Sequence, residues 1–167
     1  MQVAVVSLVA VLMVIGATQV LVSGQENVSV ALYGDPAPQS KSIEGVWQTT
    51  VTVRNCQTGA PFATFRGLST YNQGGTMSEF AASSSPVLRS ASQGIWKQEV
   101  RGTYSASFMF LRFNPDGTFA GTQKTTAINE ITGEGNTYDS TASIEVRDPN
   151  NNVLFTGCAT ATAIRFE

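Results

Sequence analysis

Residues 153–166 constrain the fold more than any other stretch. They read Val-Leu-Phe-Thr-Gly-Cys-Ala-Thr-Ala-Thr-Ala-Ile-Arg-Phe, an extended run in which small apolar residues alternate with threonine. A two-residue period of this length describes a strand with one face turned to a core. A long strand with a bare edge invites pairing between molecules, so it needs a neighbour on each side. The first strand of the chain, Gly45 to Arg54, is the neighbour that would close a barrel.

Between those two strands the chain alternates short extended runs with turn chemistry. The second strand runs from Phe62 to Asn72, after a loop holding Gly59 and Pro61, and Gly74-Gly75 reverses it into a third, Thr76 to Ala82. A Ser-rich loop, Ser83 to Ser92, leads to a fourth, Gln93 to Val100, and Arg101-Gly102 turns into a fifth, Thr103 to Phe113. Asn114-Pro115-Asp116-Gly117 is a strong turn, because proline presets φ and Asp-Gly tolerates the reversal. The sixth strand, Thr118 to Ile131, and the seventh, Thr137 to Arg147, flank a Gly-rich turn, and Asp148-Pro149-Asn150-Asn151-Asn152 leads to the eighth. No stretch of this part offers a helical period with caps.

Eight consecutive strands with short connections predict an all-β fold, an eight-stranded antiparallel up-and-down barrel in a single domain. The seventh strand shows the expected two faces. Thr137, Asp139, Thr141, Ser143, Glu145 and Arg147 fall on one side, and Tyr138, Ser140, Ala142, Ile144 and Val146 on the other. One buried face and one wet face follow from that pattern.

The chain starts differently. Residues 3–22 are almost unbroken aliphatic without a charge, and small residues follow at Val22-Ser23-Gly24. This reads as a signal peptide over residues 1–24, cut before Gln25. The alternative is an uncleaved membrane anchor, since about 20 apolar residues span a bilayer. Residues 25–44, with Pro36, Pro38 and a polar run, read as a flexible arm, leaving residues 45–167 for the barrel. The expected location is secreted or periplasmic, with no membrane contact once the leader is removed.

Composition excludes several chemistries. The chain has no histidine, which removes the usual zinc sites, every Ser-His or Cys-His arrangement and the commonest general base. A net charge of −2 without charge runs argues against a nucleic-acid partner. Glu79, Glu130, Lys124, Tyr71, Tyr104, Arg66 and Arg112 are ionisable residues inside strands, but Lys124 and Glu130 share one face of the sixth strand and read as a solvated surface. No catalytic residue, metal ligand or cofactor is assigned.

Cys56 and Cys158 are the only cysteines, and in an exported chain a pair reads as a disulfide. Both fall at the same end of the barrel if the first and last strands are neighbours. Alternation turns Cys158 outward, and Cys56 as well unless a bulge intervenes. A bridge closing a loop of about 100 residues stabilises by roughly 4–5 kcal/mol in chain-entropy models.

Gly45-Val46-Trp47, at the start of the first strand, resembles the G-x-W motif of lipocalins and the wider calycin superfamily. That resemblance implies a tryptophan plugging the barrel floor under an arginine from the end of the last strand, and Arg165 stands at the corresponding place. Guanidinium on indole is a cation–π contact. The chain departs from the family in having no helix after the last strand and no second lipocalin motif. The allene-oxide-cyclase and dirigent type of eight-stranded barrel is the other resemblance, and it implies isomerase or coupling chemistry.

The leading functional expectation is binding of a small hydrophobic ligand inside the barrel. Its contacts would come from Phe108, Phe110 and Arg112 on the fifth strand and the wall of Ala159 and Ala161 on the eighth. The rivals are a cyclase or isomerase acting on an apolar substrate, and a structural module whose phenylalanines simply fill the core. Both faces of the fifth strand are apolar, so its parity stays open. With even positions inward, Arg112 stands at the rim as a partner for an acidic head group; with odd positions inward it is a surface charge. The second apolar face would lie under the Ser83–Ser92 loop or form the interface of a homo-oligomer.

Overall fold

Alternation and turn chemistry act together to give a closed barrel of eight antiparallel strands in sequence order. The computed structural model describes residues 42–166. The segment read as a signal peptide and residues 25–41 of the arm lie outside the described residues. The strands are β1 (Gly45–Arg54), β2 (Pro61–Tyr71), β3 (Thr76–Ala81), β4 (Ser92–Val100), β5 (Thr103–Phe113), β6 (Phe119–Thr132), β7 (Thr137–Arg147) and β8 (Val153–Arg165). Each lies within one residue of its expected bounds. Two short 3-10 turns interrupt the loops, Pro86–Leu88 and Gly133–Gly135. Among the described residues no helix is long and apolar enough to cross a membrane.

Closure is made by β1 and β8, antiparallel from Trp47 opposite Arg165 to Arg54 opposite Cys158. Just past that last pair, Cys56 and Cys158 are bonded, with Cα atoms 5.2 Å apart. The bridge links positions 102 residues apart in sequence and fastens the barrel seam at the end where β1 finishes. That end carries the loops 55–60, 82–91, 114–118 and 148–152, and is called the mouth below; the other end is the floor.

The floor is filled. Trp47 and Ile43 are fully buried and pack with Tyr71, Met77, Tyr104 and Tyr138. The aromatic rings meet edge to face: Trp47 lies 4.9 Å from Tyr138, and Trp96 lies 5.7 Å from Tyr104. Such contacts add to the area that each ring buries. Arg165 closes the floor from beneath, its guanidinium carbon 4.2 Å from the Trp47 ring centre. It donates to the carbonyls of Ser42, Glu44 and Gly135, which ties three chain segments together.

One boundary needs correcting. Residues 42–44 were expected within the flexible arm, yet Ile43 is part of the packed floor and its carbonyl accepts the Trp47 indole N–H at 2.7 Å. A single isoleucine between Ser42 and Glu44 carries no periodicity, so nothing local distinguishes it from linker.

Candidate functional site

Above the floor the interior opens into a cavity of about 490 Å³ reaching the mouth. The space follows from residue size along the strands. Ala106, Ala127, Ala142 and Ala159 stand directly opposite one another across β5, β6, β7 and β8, and Val53 of β1 extends the row. Ala161 lies two residues further along β8, opposite Val51 and Ser140. Large residues on these strands would meet at the axis; alanines do not.

The parity left open in β5 is settled by this packing. Tyr104, Ala106 and Phe110 are buried, and Phe108, Phe110 and Arg112 line the cavity, so the even positions point inward. Gly94 of β4 stands opposite Phe108, and a Cβ there would collide with the phenylalanine backbone. At the top of β5 a register shift between Arg112 and Phe113 places Gly121 opposite Arg112. Gly121 has φ +110, and a Cβ on it would strike the Arg147 carbonyl. Glycine is required there.

The mouth is held by polar anchors. Asn55 Oδ1 accepts the backbone N–H groups of Gln57 and Thr58, Asp116 Oδ1 that of Thr118, and Asp148 Oδ1 those of Asn150 and Asn152. Hydrogen bonds from Thr118 and Asn152 hold the Asp116 and Asp148 carboxyls below their ordinary range. Phe62 and Phe155 line the cavity while remaining 67% and 52% exposed, which marks where it opens.

The fourth mouth loop is anchored from inside. Arg89, the one charged residue of Ser83–Ser92, turns its side chain into the barrel and is 5% exposed. Its Nη2 donates to Glu79 Oε2 at 2.8 Å and to Ser92 Oγ at 3.0 Å; Nη1 donates to Ser83 Oγ and Nε to the Ser90 carbonyl. Ser92 Oγ donates to the same carboxylate oxygen at 2.5 Å. The guanidinium carbon lies 3.8 Å from the Phe110 ring centre. Breaking one side of such a buried pair strands the other charge, so the cluster pins the loop firmly. The loop pairs alongside β5, through Ser90 and Leu111, and leaves the outer Met109 and Leu111 exposed. It therefore does not cover the second apolar face.

Deep in the cavity, neutral polar groups stand near the Glu79–Arg89 pair. Asn129 Nδ2 donates to the Tyr71 hydroxyl at 3.3 Å, which sits 3.5 Å from the Tyr138 hydroxyl. Burial, followed by the neighbouring Tyr138, pushes Tyr71 well above its ordinary pKa; burial also raises Tyr138. Both phenols are therefore neutral hydrogen-bonding groups at physiological pH. Glu79 is already engaged by Arg89 and Ser92, so this wall offers anchoring more readily than acid–base chemistry.

The residues expected at a ligand site, Phe108, Phe110, Arg112, Ala159 and Ala161, all line the one cavity. Arg89 and Asn129 were missed, while Tyr71, named as an ionisable strand residue, contributes its hydroxyl to the same lining. Arg89 had a readable signal, since an inward Glu79 needs a cation and the adjacent loop holds only one. Asn129 had none, because a polar residue on a strand reads as outward by default.

These features define a class: a closed eight-stranded antiparallel β-barrel, consistent with a calycin-like barrel, with a filled floor and a hollow upper half. No known protein family and no curated protein matches the chain.

Proposed function

We propose that this is an exported barrel protein that binds one small, largely apolar molecule in the upper half of its interior. The observation that carries this reading is the cavity of about 490 Å³ bounded by the alanine row and Phe108 and Phe110. Ligand sites are concave, mostly apolar, of about 300–1,000 Å³ and largely preformed, with a few placed polar groups. The anchored mouth loops and the hydroxyls below fit that description. Export is supported by the Cys56–Cys158 bridge, because disulfides persist in oxidising compartments, and by the uncharged apolar segment over residues 3–22.

Titration with an environment-sensitive apolar fluorophore tests the reading. Binding is expected near micromolar, about 8 kcal/mol, and Ala161→Trp should abolish it by filling the space between Phe110 and β8. Failure of every apolar probe to bind the folded protein would return the barrel to a structural role.

A further inference from the structure

The cavity has an unbalanced charge. Three charged side chains line it: Glu79, Arg89 and Arg112. Glu79 and Arg89 neutralise each other, and every nitrogen of the Arg89 guanidinium is committed to Glu79, Ser83, Ser90 or Ser92. That leaves Arg112 as a net single positive charge. Its Nη1 is buried without a hydrogen-bond partner among the described residues. A buried donor left unmade costs free energy, and one on a cation costs more. The protein as a whole is negative, at −2, so this charge is a property of the cavity and not of a basic surface.

Position adds to charge. Arg112 follows Phe108 and Phe110 on the inner face of β5, two residues before the Asn114 turn, and therefore stands near the mouth above the apolar part. Gln123, two residues along β6 from its partner Gly121, lines the same cavity and brings an amide that can donate or accept. An apolar body below and one unpaired cation above match a molecule with the opposite arrangement.

On the proposed role as an apolar-ligand binder, we infer that the cavity selects amphiphilic monoanions, with an aliphatic or ring body in the alanine-walled space and a carboxylate on Arg112. A carboxylate accepts two guanidinium N–H bonds side by side, and turning the guanidinium into the cavity to make them would release Nη1 from the enclosed position where it has no partner. A dianionic head would remain half-neutralised in a cavity of net charge +1, so the single carboxylate is favoured.

Decanoic acid and 1-decanol, which share a chain length and differ only at the head, separate the parts of this inference. Each would compete against the bound apolar fluorophore at neutral pH, with the full chain in its oxidised form. Decanoate is expected to bind roughly tenfold to a hundredfold tighter than decanol, the range for a hydrogen bond to a charged group. Arg112→Gln should erase that preference by weakening decanoate binding far more than decanol binding, and Arg112→Lys should keep part of it. Equal binding of acid and alcohol by the native chain would overturn the inference and leave the apolar-ligand role standing, as would a preference that survives in Arg112→Gln. If neither compound displaces the fluorophore, the monoanion inference is overturned, whereas absence of fluorophore binding as well defeats the ligand role itself.

Discussion

The lower and upper halves of this barrel are built from the same strands with the same alternation, yet one is solid and the other hollow. Near the floor the inner face carries Trp47, Tyr71, Met77, Tyr104 and Tyr138, all nearly inaccessible. Higher up it carries Ala127, Ala142, Ala159 and Ala161, with space between them. Strand pairing makes the wall in both places, and side-chain volume alone decides whether the wall encloses a core or a cavity. The stability of the protein should accordingly reside at the floor and its specificity at the mouth.

Substitutions at the two ends should separate those properties. Trp47→Ala should have the largest effect, destabilising by roughly 3–5 kcal/mol as for other buried aromatic truncations. An unchanged midpoint in chemical denaturation would remove the floor from the account. Cys56→Ser with Cys158→Ser should cost roughly 2–5 kcal/mol. Because the bridge fastens the seam near the mouth, this pair should loosen amide-exchange protection in β1 and β8 first. Arg165→Ala should cost about 1–2 kcal/mol, through lost stacking on Trp47 and the freed carbonyls beneath it.

A smaller effect is expected with rising pH. Tyr71 and Tyr138 hold their protons in the folded state above the ordinary value of 10.0. Below about pH 10 both states keep the proton and these groups leave stability flat; above it the unfolded chain releases protons that the folded chain retains, so stability falls. Denaturation midpoints should drop on the alkaline side, and Tyr71→Phe with Tyr138→Phe should flatten that slope. The smallest effect belongs to the mouth: Arg112→Ala should not destabilise and should raise stability by up to about 1 kcal/mol, since it removes a buried Nη1 that has no hydrogen-bond partner among the described residues. A large loss there would show that Arg112 is structural.

The wall of the barrel was legible in the sequence because two-residue alternation and turn residues are local signals. Tyr138, Ser140 and Ala142 against Asp139, Thr141 and Ser143 gave the inward face of β7 without any knowledge of its neighbours. The meeting of Cys56 with Cys158 was legible from topology, once β1 and β8 were taken as adjacent, and that of Trp47 with Arg165 from the resemblance of Gly45-Val46-Trp47 to the lipocalin motif. What crosses the barrel was not. The inward turn of Arg89 depends on Glu79 and Ser92, which approach it only after β3 and β4 pair. The parity of β5 could not be read from a strand apolar on both faces, because burial of Tyr104 and Phe110 is decided by β4 and β6. The burial of Ile43 depends on the Trp47 indole seeking an acceptor.

A crystal structure of the protein under xenon pressure tests, without assuming any ligand, whether the upper half is an open apolar space. Dry apolar cavities take up xenon. Xenon density is expected between Phe110 and the wall of Ala159 and Ala161, with none beside Trp47. A cavity closed by Phe108 and Phe110 collapsed onto Ala142 and Ala159, with no xenon inside, would contradict it.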